Sequence, residues 1–183
     1  SVFKQISQDI GSASYQLDEK TVLKDIITDD FVLPEGASSV KAYTVDFAGK
    51  DPEGNMTWGS TVALPAESVT VQGKTIDVTG FDYSENWVGT LNGTPRGKKL
   101  VVEIQITPAN PETLYGVVPT NTNESGIYVD GKPVKDFEIP EAVYPYYVIK
   151  LVNSDGVQEF KVKYNNSALT GKPLTEYVDG GYL

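Results

Sequence analysis

Asp46, Asp51, Glu53 and Asn55 place four oxygen donors within ten residues, the ligand type that a hard cation such as Ca²⁺ takes. Their spacing departs from the EF-hand loop, so a solvated polar loop is the competing reading. Trp58, Trp87 and the pair Tyr146-Tyr147 have the flat apolar faces that stack on sugar rings in carbohydrate-binding modules. Aromatic residues on strands more often fill a core or its rim. Asp29-Asp30 and Glu138/Glu141 are paired carboxylates, but glycoside hydrolysis needs two carboxyls roughly 5–10 Å apart across a cleft, and a small β-sandwich offers little cleft. The chain has no Cys and no His, which removes thiol nucleophiles, disulfides, the usual zinc sites and the commonest general base. It carries no G-x-S-x-G elbow, no Walker loop and no dinucleotide fingerprint. The expectation is a protein that is not an enzyme, with no cofactor and no metal.

Charge narrows the partners. The 183 residues include 15 basic and 25 acidic side chains, a net charge of −10. Neutralising phosphate needs clustered Lys and Arg, so nucleic acid is not an expected partner. Anionic membrane surfaces are disfavoured for the same reason, and no apolar run approaches the ~18 residues of a spanning helix. The chain opens mid-pattern at Ser1 without Met and is expected to be an excised or processed segment, its targeting signals lying elsewhere. A Cys-free composition rich in Thr, Asn, Gly and Tyr is associated with exported proteins of Gram-positive bacteria; a cytosolic chain that lacks Cys by chance is the alternative.

The elements that would carry these residues read as strands. Residues 69–71 and 76–78 alternate apolar and polar side chains on either side of Gly73, the pattern of a β-hairpin. Phe81, Tyr83 and Trp87 follow within seven residues and are expected to seal the core that the hairpin starts. Residues 40–47 and 99–106 alternate over eight positions each, the second with Leu100, Val102, Ile104 and Ile106 on one face. Residues 22–27 fit either a helical turn capped by Asp18 or a strand; their β-branched content favours strand. Residues 48–59, with Met56 and Trp58, read as a polar loop, and Asn92-Gly93 as a turn. Residues 144–152 and 157–164 are further strands, and 174–178 one more. Val2, Phe3, Ile6 and Ile10 recur at helical spacing and predict a short helix at the start. The class is all-β, an immunoglobulin-like sandwich. The organisation expected is an end of a preceding domain or linker (1–15), a β-sandwich domain (16–142), and extra strands (143–183) that either begin a second small module or edge the first.

LKDII at 23–27 with FVLP at 31–34, VTGFDYSENWVG at 78–89, GKKLVVEIQITP at 97–108 and VPTNTNESGIY at 118–128 resemble the all-β domain that follows the von Willebrand factor A domain in Gram-positive surface adhesins and pilin-like proteins, a family that often carries collagen-adhesin B-type repeats and a sortase-anchored end. The resemblance covers about residues 2–140. It departs at 110–116, where family members often have a Gly-Gly-Asn turn, and residues 143–183 lie outside it. It implies an extracellular, cell-wall-associated stalk module, whose partners are neighbouring domains of the same protein and a host or glycan ligand. A secreted carbohydrate-binding module using Trp58 and Trp87 is the alternative. The resemblance also implies a self-made isopeptide bond between a Lys and an Asn, promoted by a buried acid. A neutral amine must attack a polarised carboxamide, which requires a dry core. The acid would be Asp25 and the amide Asn121. Lys24 would face away from an inward Asp25, leaving Lys4, Lys20 or Lys41 as the amine. The competing reading has Asp25 exposed or in a turn and Asn121 bonded to loop backbone.

Overall fold

The computed structural model describes residues 2–7 as backbone and residues 17–163, and is built on antiparallel strands with short 3-10 turns at Gly36–Ser39, Ala66–Ser68 and Pro111–Thr113. In chain order these are β1 Val2–Ser7, β2 Val22–Ile26, β3 Phe31–Val32, β4 Val40–Lys50 and β5 Met56–Ala63. The hairpins β6 Val69–Gln72 with β7 Thr75–Val78 and β8 Gly89–Leu91 with β9 Thr94–Arg96 lead into β10 Lys98–Pro108. Then come β11 Gly116–Pro119, β12 Gly126–Val129, β13 Lys132–Asp136, β14 Glu141–Tyr144, β15 Tyr146–Asn153 and β16 Gly156–Lys163. One five-stranded sheet runs β1-β10-β4-β5 with β3 also on β10, and the other runs β13-β12-β2-β7-β6.

Alternation explains why the two sheets meet. Leu100, Val102, Ile104 and Ile106 project from one face of β10, with Val40 and Ala42 beside them on β4. From the other sheet Leu23, Ile76, Val78 and Ile127 meet them in one buried cluster. Removing such side chains from water contributes about 1.5–3 kcal/mol each, so a one-residue register slip in any of these strands would forfeit the whole row.

The hairpin at 69–78 forms as its pattern predicts, with Gly73 at φ +61° in the turn. The aromatic segment after it divides. Phe81 is buried and Tyr83 stands edge-on to it, ring centroids 4.7 Å apart, whereas Trp87 is 45% exposed and does not close the core. Burial pushes the Tyr83 phenol well above its usual value of 10.0. A phenol whose folded pKa is raised contributes stability that is complete below the unfolded value and is lost as pH climbs past it. The urea midpoint is therefore expected to hold steady to about pH 9 and to fall above about pH 10. Tyr83→Phe is expected to flatten that fall; an unchanged alkaline slope in the variant would remove Tyr83 as its source.

Two expectations are corrected. Residues 2–7 form a strand, not a helix: β1 pairs antiparallel with β10 from Val2 opposite Ile106 to Ser7 opposite Val101. Positions 2 and 6 share a face in either period, whereas Phe3 fits only the helical one, and the open edge of β10 supplies hydrogen-bond partners that a lone helical turn lacks. Residues 48–59 are not a loop, because β4 continues to Lys50 and β5 starts at Met56, leaving only 51–55 as the turn. Register shifts near Phe47 and Gly49 break the period-two signal there. The break between 142 and 143 falls inside β14, which pairs along its length with β11. The hairpin β15–β16 follows and meets the preceding strands at Tyr115, whose ring lies 5.8 Å from that of Tyr146. Residues 174–178, expected as a strand, lie outside the described residues.

Candidate functional site

The interior of this apolar core holds a polar knot. Leu23, Asp25 and Ile27 occupy alternate positions of β2 and its extension, so all three face inward. Asp25 is 0% exposed. Just past β11 the chain crosses this strand: Asn121 pairs antiparallel with Ile27, and two backbone hydrogen bonds flank the pair, from Thr28 N–H to the Thr120 carbonyl at 3.1 Å and from Thr122 N–H to the Ile26 carbonyl at 2.8 Å. A residue opposite Ile27 shares its face, so the Asn121 carboxamide also points into the core, where it is 1% exposed. Asp25 and Asn121 are thus diagonal neighbours, a relation that sets such residues roughly 7–8 Å apart and within side-chain reach. The competing surface or turn reading of these two residues does not match their burial.

Thr120 and Ser125 complete the surround. The Thr120 hydroxyl donates to Asn121 Oδ1 at 3.1 Å and lies 3.1 Å from the Pro140 carbonyl, which also accepts the Thr120 N–H at 2.9 Å. Ser125 Oγ accepts the Ile26 N–H at 2.9 Å. Asn121 Nδ2 has no hydrogen-bond partner among the described residues. Leaving a buried amide nitrogen unbonded costs about 1–3 kcal/mol, the kind of local expense expected where chemistry, not packing, selects the residue. Thr120 and Ser125 were not singled out by sequence; their only signal is their place in VPTNTNES, beside the expected amide.

The lysines separate cleanly. Lys24 points away from the core and pairs with Asp77 at 2.9 Å. Lys20 and Lys41 are exposed, and Lys41 sits in the β4 row opposite Glu103. Lys4 holds the β1 register position opposite Ile104.

The other sequence candidates are dispersed into ordinary structural work. Asp51 caps its own turn, its carboxylate accepting the Asn55 backbone N–H at 2.7 Å and side-chain N–H at 3.0 Å; the Asn55 amide is foremost in holding that carboxyl below its usual range. Asp46 instead pairs with Lys98 at 3.4 Å, so the four oxygens of the supposed cation loop do not converge. Asp29 pairs with Lys74 at 2.9 Å. Trp58 packs edge-on to Phe47 and carries the Lys99 ammonium 4.1 Å from its ring centre. Trp87 carries the Arg96 guanidinium at 4.5 Å, beside an open pocket of about 390 Å³ lined by Glu85, Asn86, Leu91, Thr94, Arg96 and Lys98. Each indole thus holds one cation of the same chain against its ring. Among the described residues no helix is long and apolar enough to cross a membrane.

Compared with known proteins, the chain matches no protein-family model, no curated protein and no solved structure.

Proposed function

We propose that this chain is a non-enzymatic stalk module of a secreted, cell-wall-associated bacterial adhesin or pilus-like protein, an immunoglobulin-like sandwich clasped by an isopeptide bond between Lys4 and Asn121. The observation that carries this reading is the complete burial of Asp25 beside Asn121 in a largely apolar core. A carboxyl and a carboxamide gain nothing there by packing alone, but amide exchange needs both, held together away from water. In the reaction the Lys4 amine attacks Cγ of Asn121, the Cγ–Nδ2 bond breaks, and ammonia leaves. Asp25 carries the proton from the attacking nitrogen to the departing one, so atoms and charge balance without any co-reactant. It acts once on its own chain and turns over no substrate.

Mechanics supports the same role. Load applied along antiparallel strands is shared among many ladder hydrogen bonds, and a bridge from β1 to the crossing after β11 would carry load past the strands between. The neighbouring domains of the same surface protein would be its partners, presenting a host or glycan ligand from elsewhere in the assembly. The sugar-stacking alternative has less support, because each indole already holds a cation of the same chain against its ring.

Intact mass of the purified chain tests the clasp. The wild type is expected to weigh one ammonia less than its sequence, and Asn121→Ala, Asp25→Asn and Lys4→Ala are each expected to lose that deficit. Lys24→Ala is expected to keep it. Ring closure at the Asn92-Gly93 turn would release the same ammonia, so a branched peptide joining the Lys4 and Asn121 segments must accompany the deficit. A full calculated mass for the wild type sinks the clasp.

A further inference from the structure

We propose that Thr120 is the donor that polarises the Asn121 carboxamide for cross-linking, a catalytic contact separate from the proton transfer assigned to Asp25. The inference rests on the clasp reading above. The carboxamide is held asymmetrically: its oxygen accepts from the Thr120 hydroxyl at 3.1 Å, while its nitrogen has no partner among the described residues. Amide exchange wants that asymmetry, since the oxygen gains negative charge as the amine adds and the nitrogen must depart.

The hydroxyl is well placed to respond to that charge. Its single proton lies between two acceptors, Asn121 Oδ1 and the Pro140 carbonyl, both at 3.1 Å. A shared proton bonds each neutral carbonyl weakly, but an oxyanion on Asn121 draws it across, so the interaction strengthens in the transition state more than in the ground state. Thr120 and Asn121 are 2% and 1% exposed, and the low local dielectric enlarges the effect. The Pro140 carbonyl still accepts the Thr120 N–H, so losing the hydroxyl from it leaves no orphan. The Thr120 backbone is pinned on its other side by Thr28, whose N–H donates to the Thr120 carbonyl and whose hydroxyl donates to the Pro119 carbonyl at 3.0 Å. Because Pro140 immediately precedes β14, the arrangement is set only when β14 has paired with β11.

The test follows the mass deficit with time in freshly purified protein. Thr120→Val keeps the shape and removes the donor, and is expected to slow maturation about 10²–10³-fold, the usual cost of deleting one oxyanion donor. Thr120→Ser restores the hydroxyl and is expected to mature within a few-fold of the wild type. If valine is not tolerated at this site, Thr120→Cys, with its weak S–H donor, takes its place and must lag behind Thr120→Ser. A merely structural role shifts the urea midpoint, measured for each substitution in the Asp25→Asn background, and leaves the maturation rate of folded protein unchanged. A wild type that bridges while the donor-less variant bridges equally fast overturns the role of Thr120 and leaves the clasp standing. A wild type without the bridge overturns both.

Discussion

Protein carrying Asp25→Asn, folded but unbridged, is expected to melt about 10–20 °C below the wild type. The substitution changes one buried atom and keeps the volume, so the difference isolates the covalent link better than truncation of Asn121 does. The proposed bond joins β1 to the crossing after β11 and closes a loop of roughly 120 residues, which in the chain-entropy account removes about 5 kcal/mol of freedom from the unfolded state. A chain of this size moves its melting temperature by roughly 2–4 °C per kcal/mol. Differential scanning calorimetry on the two proteins, each with its mass confirmed, gives the comparison. Equal melting points with the bridge present only in the wild type would show that the link adds no stability.

Phe31→Ala is expected to cost about 3–5 kcal/mol, the range for emptying a fully buried aromatic site. Phe31 is 0% exposed, in β3 opposite Pro108 of β10, and its ring lies 6.3 Å from that of Tyr144. It therefore links the β10 sheet to the β11–β14 pair. Its neighbour Val32 is 37% exposed, and Val32→Ala is expected to stay within about 0.5 kcal/mol, as surface changes do. Urea unfolding of both variants makes the contrast. The phenol of Tyr144, which burial holds above its ordinary value, should also titrate closer to that value in Phe31→Ala. A cost under about 1 kcal/mol, below the range for a large-to-small core substitution, would mean that β3 does not close this core.

Much of the fold was legible because side-chain alternation is local. The rows on β4, β7 and β10 could be read directly, and with them the all-β class and the turn at Gly73. The first strand reads as a helix because Val2 and Ile6 share a face in either period while Phe3 fits only the helical one, and only the vacant edge of β10 decides against it. The loop expected at 48–59 failed for another local reason: register shifts near Phe47 and Gly49 hide a strand whose exposed residues, from Ser60 to Ala63, carry no apolar rhythm. Trp87 shows the limit of residue type, since an indole serves as well under an Arg96 guanidinium as in a core.

At the site the division is sharper. The sequence alone set Lys24 and Asp25 on opposite faces of the expected strand, because a pleated strand sends every second side chain the same way, but left open which of the two faces the core. It also excluded thiol and imidazole chemistry by composition. It could not bring Asn121 beside Asp25, choose the register that sets Lys4 opposite Ile104, or aim the Thr120 hydroxyl at Oδ1. Those decisions belong to strand pairings between residues nearly a hundred positions apart, which only the closed sandwich makes.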